Sequence, residues 1–174
     1  MAFNFLEGAV LLIDKPYGWT SFDVVNSIRY TIKRIYNLKK IKVGHAGTLD
    51  PLATGLLIVC TGKYTKQIDS FQGMDKVYVG SMHVGATTPS FDKETEVNQT
   101  FDVSNITEEL LIKTTKQFIG EVVQTPPAYS AVKIDGKRAF KYAREDNEVK
   151  IKSRNITISE FRLLNYNLPE IDFV

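Results

Sequence analysis

Between Val43 and Gly55 the chain reads VGHAGTLDPLATG, which sets one of its two histidines, His45, and a single carboxylate, Asp50, among three glycines, with Pro51 directly after the acid. Glycines let a bulky ligand come close to the main chain. Proline biases the residue before it toward an extended backbone, so Asp50 is expected on a loop ahead of a short turn. An aspartate with its ordinary pKa of about 3.9 is ionised at neutral pH and can serve as nucleophile or base. One carboxylate beside exposed main chain suits a reaction that breaks a glycosidic bond without consuming water. A purely structural reading fits the same residues about as well: Asp50 as a helix N-cap, Pro51 as the first helical residue and Gly55 as the stop of a single turn.

Other chemistries fit less well. A phosphate-binding loop needs Gly-Lys-Ser/Thr after its glycines, and the nearest candidate, Gly62-Lys63, is followed by Tyr64. His45 and His83 are far apart and no compact ligand set accompanies either, so no metal site is expected. A glycosidase needs two carboxylates flanking one bond, and the motif offers one.

The elements that must position Asp50 follow from the pattern around it. Ala9–Ile13 is a short apolar run ending in the turn Asp14-Lys15-Pro16-Tyr17-Gly18-Trp19. Thr20 or Ser21 can cap a helix whose inward stripe is Val24, Val25, Ile28, Ile32 and Ile35. Leu56–Thr61 reads as a buried strand and Lys76–Gly85 as a longer one beginning Val77, Tyr78, Val79. A helix is expected from Thr107 to Ile119, with Leu110, Leu111 and Phe118 inward and Gly120 as its stop. Pro126-Pro127-Ala128-Tyr129-Ser130 is an extended loop, followed by a partly helical basic stretch through Arg144 and an alternating strand from Asn155 to Leu164. Strands and helices interleave without a βαβ rhythm, which predicts an α+β fold on a mixed sheet.

Composition limits the class of protein. With 174 residues, 43% hydrophobic and 24% charged, the chain can bury a core and does not read as disordered. The one cysteine, Cys60, sits in the run Leu56-Leu57-Ile58-Val59-Cys60, so no disulfide framework exists and a reducing compartment, the cytoplasm, is expected. No apolar run approaches the roughly 18 residues of a membrane span, and no signal peptide is legible. Net charge is only +2, but its distribution is uneven. Arg29–Lys42 carries six cations and no acid, and Lys133–Arg144 carries five against Asp135. The acids Asp92, Glu94, Glu96, Asp102, Glu108 and Glu109 cluster elsewhere. Either basic run alone can be a solvated face, but together they favour a polyanion-binding surface.

KVGHAGTLDPLATG resembles the catalytic motif of the TruB-type tRNA pseudouridine synthases, and three further stretches in matching order resemble that family. Gly8 with DKPYGWTS (14–21) is similar to its G…DKPxGxTS motif and KVY (76–78) to its KxY motif. PPAYSAVK (126–133), through Ala143 and Arg144, is similar to its RNA-contacting loop. These motifs span almost the whole chain. The resemblance implies the pseudouridine synthase fold, α+β with a mixed, mainly antiparallel sheet and flanking helices. It implies isomerisation of uridine to pseudouridine at position 55 in the T-loop of tRNA, with no cofactor, no metal, no membrane and no obligatory protein partner, by a monomer that binds the tRNA T-arm.

Residue by residue, the resemblance makes Asp50 the essential catalytic residue, His45 the side chain that helps extrude the target base and fills its place, and Tyr78 the surface on which that base stacks. Extrusion costs about a few kcal/mol of lost stacking, which such residues must offset. Taken without the motif, Tyr78 reads as a core aromatic and His45 as a structural histidine. Lys15 and Pro16 are expected to brace the loop, whereas Tyr17 and Trp19 can be core or contact residues. Residues 125–144 are expected to form an RNA-clamping insertion, with Lys133, Lys137, Arg138 and Arg144 on phosphates and Tyr129 as a stacking surface.

Two departures qualify the resemblance. Thr88, Ser90 and Asp92 follow the family's pattern after Gly85, but Lys93 and Glu94 stand where a glycine is expected, so this loop should be reshaped. The family's K-G-T-Y-I-R motif does not occur before Val174, which leads to the expectation of a catalytic-domain fragment lacking a C-terminal RNA-binding domain and poorly active by itself. Two other functions stay open: a non-catalytic tRNA-binding or folding module, and a guide-RNA-dependent synthase acting on rRNA.

Overall fold

The computed structural model describes residues 4–174 apart from 131, 146, 148 and 149, so Ala131 of the proline-rich motif lies outside the described residues. The chain divides into two compact units, Met1–Lys76 and Val77–Val174.

In the first unit, β1 (Val10–Lys15) pairs antiparallel with β3 (Gly55–Thr61), whose other edge carries β2 (Val43–His45). The helix α1 (Ser21–Ile35) covers this sheet. Thr20 caps it: its hydroxyl accepts from the Asp23 amide and the Asp23 carboxylate accepts from the Thr20 amide, a reciprocal pair that satisfies two otherwise orphaned donors. Val24 and Val25 pack with Val43, Leu57 and Val59, and Leu11, Ile13, Ile28, Ile41 and Leu49 close around them. Each fully buried aliphatic side chain contributes about 1.5–3 kcal/mol, so this cluster dominates the unit's stability. Ile32 is buried as expected, but Ile35, the last helical residue, is exposed, because the packed stripe ends one turn earlier. Cys60 is fully buried and burial pushes its thiol up, which suits a packing residue. After β3 come a 3₁₀ turn (Gly62–Gln67) and the short α2 (Ile68–Gln72).

The second unit holds β4 (Gly80–His83), β5 (Ala86–Thr87), β6 (Gln99–Thr100), α3 (Glu108–Lys116), β7 (Gly120–Gln124), β8 (Lys133–Ile134), β9 (Lys137–Arg138), α4 (Ala139–Ala143), β10 (Arg154–Ile158), β11 (Leu163–Asn167) and β12 (Glu170–Phe173). β12 lies between β11 and β4, while β7–β10, β5–β6 and β8–β9 form pairs. Every ladder among the described residues is antiparallel. Ile171 is buried, and the Phe161 ring meets Phe118 and Phe173 edge-on at centroid distances of 6.3 and 5.6 Å.

Three sequence expectations need correction. The strand expected over Lys76–Gly85 is only β4: the Lys76 ammonium binds the carbonyls of Gln72 and Met74 at the end of α2, and the β12 ladder stops at the Gly80–Phe173 pair. The helix expected to Ile119 ends at Lys116, and Leu110 is exposed; Leu111 and Thr115, four apart, share its inward face. The strand expected over Asn155–Leu164 is two, β10 on β7 and β11 on β12, because alternation persists through a bend and carries no sign that the partner changes.

Candidate active site

Asp50 is exposed on the loop between β2 and β3. The loop forms a turn closed by the Ala53 amide donating to the Asp50 carbonyl at 3.0 Å, not a capped helix, and Gly55 opens β3 with φ +115°, a backbone that favours glycine. The residues on either side of Asp50 are tied down. The Ser21 hydroxyl donates to the Leu49 carbonyl at 3.1 Å and accepts from the Leu49 amide at 2.9 Å, while the Leu49 side chain packs on the core. The Gly18 amide donates to the Pro51 carbonyl at 2.8 Å. At the base of β2, Arg29 donates to the Val43 carbonyl at 3.0 Å and to Asn26 at 2.6 Å.

The segment 16–19 that supplies Gly18 is itself anchored by Lys15. This lysine is completely buried, and its ammonium donates to the carbonyls of Pro16 at 3.0 Å and Trp19 at 2.6 Å. A buried cation needs such acceptors, and these two lie on the chain that meets Pro51. Lys15 thus forms part of the brace for the Asp50 loop. Tyr17 and Trp19 are exposed, so neither is a core residue.

His45 ends β2, opposite Val59, half-buried, and its Nδ1 hydrogen-bonds to the Gly47 carbonyl. That bond folds the ring back over the loop that leads to Asp50. His45 and Asp50 therefore share one loop, with Ser21 and Lys15 behind it.

Tyr78 and the clamp belong to the second unit. Tyr78 precedes β4 and is 60% exposed, between Val77 and Val79, which are more exposed still. It is therefore an open aromatic surface and not a core residue. In the clamp, Tyr129 is half-buried after the Pro126–Pro127 pair, and Lys133 and Arg138 are exposed on the hairpin β8–β9. Two of the other cations already have acid partners. Lys137 binds both Glu145 oxygens, at 2.8 and 2.6 Å, and lies 4.6 Å over the Tyr142 ring. Arg144 pairs with Glu94 and stacks on Phe140. Glu94 is one of the residues that departs from the expected loop pattern, and here it ties that loop to the clamp. Among the described residues no group of three or more His, Cys, Asp and Glu side chains could hold a metal ion, and no helix is long and apolar enough to cross a membrane.

Sequence reasoning missed Ser21. It took Thr20 and Ser21 as alternatives for one helix cap, when two adjacent hydroxyls at a helix start leave one surplus. Thr20 takes the cap, and the surplus hydroxyl holds the residue before Asp50.

Comparison with known proteins bears on the family and the fold. Residues 33–174 match the family described as "TruB family pseudouridylate synthase (N terminal domain)". The tRNA pseudouridine synthase B of Flavobacterium johnsoniae is 54% identical over 171 residues, covering 98% of this chain and 75% of that protein. The proteins of that name from Phocaeicola vulgatus and Bacteroides fragilis are each 55% identical over 168 residues, covering 97% of this chain and 72% of theirs. Among solved structures, a chain of a Cbf5-Nop10-Gar1 complex superposes with a TM-score of 0.60 at 29% identity, covering 98% of this chain but 39% of that one. A chain of an H/ACA RNP bound to a substrate RNA containing 2'-deoxyuridine gives a TM-score of 0.60 at 25% identity, covering 97% of this chain and 37% of that chain.

Proposed function

The chain belongs to the TruB family of pseudouridylate synthases, and on that premise we propose that it isomerises a uridine in the T-loop of tRNA, with Asp50 as the essential carboxylate. A tRNA pseudouridine synthase must detach the base from its sugar, turn it and rejoin it through carbon, with no net gain or loss of atoms. The observation that carries the assignment to Asp50 is its double tether: Ser21 holds Leu49 on one side and Gly18 holds Pro51 on the other, leaving the carboxylate exposed on a fixed backbone. A preorganised nucleophile or base needs that fixity.

The target base must leave its stack before its glycosidic bond can be reached. His45, folded over the same loop, is the side chain we assign to the vacated place, and Tyr78 is the surface for the flipped base. Residues 125–144 form the RNA clamp, with Tyr129 stacking and Lys133, Lys137, Arg138 and Arg144 on phosphates. RNA phosphates must compete with Glu145 and Glu94 for Lys137 and Arg144.

The fold similarity to a chain of an H/ACA RNP supports the guide-RNA-dependent reading. A bare T-arm hairpin, with no guide RNA and no second protein, separates the two. Pseudouridine in its loop supports the tRNA reading, and conversion seen only with a guide RNA supports the other.

A further inference from the structure

The strand β1 ends at Lys15, and Pro16-Tyr17-Gly18-Trp19 carry the chain from it toward α1. The Trp19 amide donates to the Pro16 carbonyl at 3.4 Å and Gly18 stands at φ +80°. That is the pattern of a type II turn, which needs a positive φ at its third residue and so favours glycine there. Tyr17 is the second residue, at the corner. Position two of such a turn suits proline and accepts most other residues, so the backbone does not require an aromatic ring there. Packing does not require one either: Tyr17 is 66% exposed, and its ring meets no other aromatic ring and no cation among the described residues. The turn beneath it is nonetheless firmly held. Four hydrogen bonds fix it, two from the Lys15 ammonium to the Pro16 and Trp19 carbonyls, one closing the turn, and one from the Gly18 amide to the Pro51 carbonyl.

The last of these bonds sets the ring beside the candidate carboxylate. Tyr17 directly precedes Gly18 and Asp50 directly precedes Pro51, so the 2.8 Å bond and standard backbone lengths keep the Cα atoms of Tyr17 and Asp50 within about 12 Å of each other. Stacked nucleotides rise about 3.4 Å each along a strand, so a base that reaches Asp50 brings its sequence neighbours within range of the ring. Turning one base out of a loop leaves those neighbours with an unstacked face, which an aromatic side chain can cover. We propose that Tyr17 is the stacking surface for a base of the target loop other than the uridine that is turned, and so holds the loop over Asp50. The proposal rests on the reading that the protein acts on a uridine in the T-loop of tRNA, and adds to it a substrate-positioning residue. Because the main chain is already fixed, binding has only the two side-chain torsions of Tyr17 to immobilise.

The test is filter binding of a T-arm hairpin by wild type, Tyr17→Ala, Tyr17→Leu and Tyr17→Phe. Each protein is also measured against a set of hairpins in which one loop nucleotide at a time is abasic. On the intact hairpin, Tyr17→Ala should bind at least fivefold more weakly than wild type and Tyr17→Leu at least threefold, whereas Tyr17→Phe, which keeps the ring, should stay within twofold. At one loop position other than the target uridine, the abasic hairpin should bind wild type and Tyr17→Ala within twofold of each other, because the base that the ring would hold is already gone. A ring that only steadied its turn would lose the same factor on every hairpin, and that result overturns the proposal. So does binding of the intact hairpin by Tyr17→Ala within twofold of wild type. Loss of the difference only at the target position assigns Tyr17 to the turned base itself and overturns the proposal as well. If wild type binds no hairpin, the underlying reading fails along with the role of Tyr17, whereas the other negative results leave that reading intact.

Discussion

At the scale of single residues, the account depends on side chains that aim Asp50 more than on Asp50 alone. Ser21→Ala removes both bonds to Leu49, and a cost of about 1–2 kcal/mol in stability is expected. If Ser21 positions Asp50, kcat should fall several-fold while tRNA affinity stays near wild type; a fall in stability alone identifies a merely structural hydroxyl. Lys15→Met keeps the packing volume but leaves the Pro16 and Trp19 carbonyls without their donor, so a loss of about 2–3 kcal/mol is expected in denaturant unfolding. Tyr78 divides along another line. Base stacking on an aromatic ring contributes about 1–3 kcal/mol, so Tyr78→Ala should lower kcat/KM by roughly tenfold to a hundredfold while Tyr78→Phe keeps most of it. Equal losses in both variants point to the hydroxyl and against stacking. The placement of His45 and Asp50 on one loop and the part of Lys15 in bracing it were legible in sequence, because all three fall within spaced motifs. Ser21 was not legible as a loop anchor, since a hydroxyl's partner 28 positions away leaves no local pattern.

At the scale of elements, α1 and the clamp carry the testable physics. The Thr20 hydroxyl, then its amide, hold the Asp23 carboxyl below its ordinary value. The ionised carboxylate thus stabilises the helix start above the ordinary carboxylate range, and this contribution is lost as pH falls through the lowered folded value. Thr20→Ala should cost about 1 kcal/mol at neutral pH and flatten the acid side of the stability profile, which thermal melts at several pH values can read. In the clamp, Glu94→Gln frees Arg144 from its acid partner, and tRNA affinity should rise about two- to threefold at low salt, with the gain vanishing at high salt. Unchanged affinity shows that Arg144 does not meet phosphate. The caps and the short strands β1 and β3 could be read from local pattern. The division of Asn155–Leu164 and the early end of the 76–85 strand could not, because both depend on which distant strand stands opposite.

At the scale of the whole molecule, two basic runs, at 29–42 and 133–144, stood out in the sequence, and the fold treats them differently. The second is partly neutralised by Glu94 and Glu145, whereas the first gains Lys63 and Lys66 across a cavity, where among the described residues only Lys63 has an acid partner, Glu7. That contrast was hidden in the linear charge pattern, since it requires the 3₁₀ turn after β3 to return beside residue 42. The family and its fold were visible from four ordered motifs, and relatives that share about half of the residues agree with them. The measurement that bears most directly on the account pairs pseudouridine formation in a T-arm hairpin with tRNA binding, for wild type and Asp50→Asn. The account predicts measurable conversion by wild type, slow if the chain alone is poorly active, none by Asp50→Asn, and binding within several-fold in both. Near-normal turnover by Asp50→Asn would contradict it.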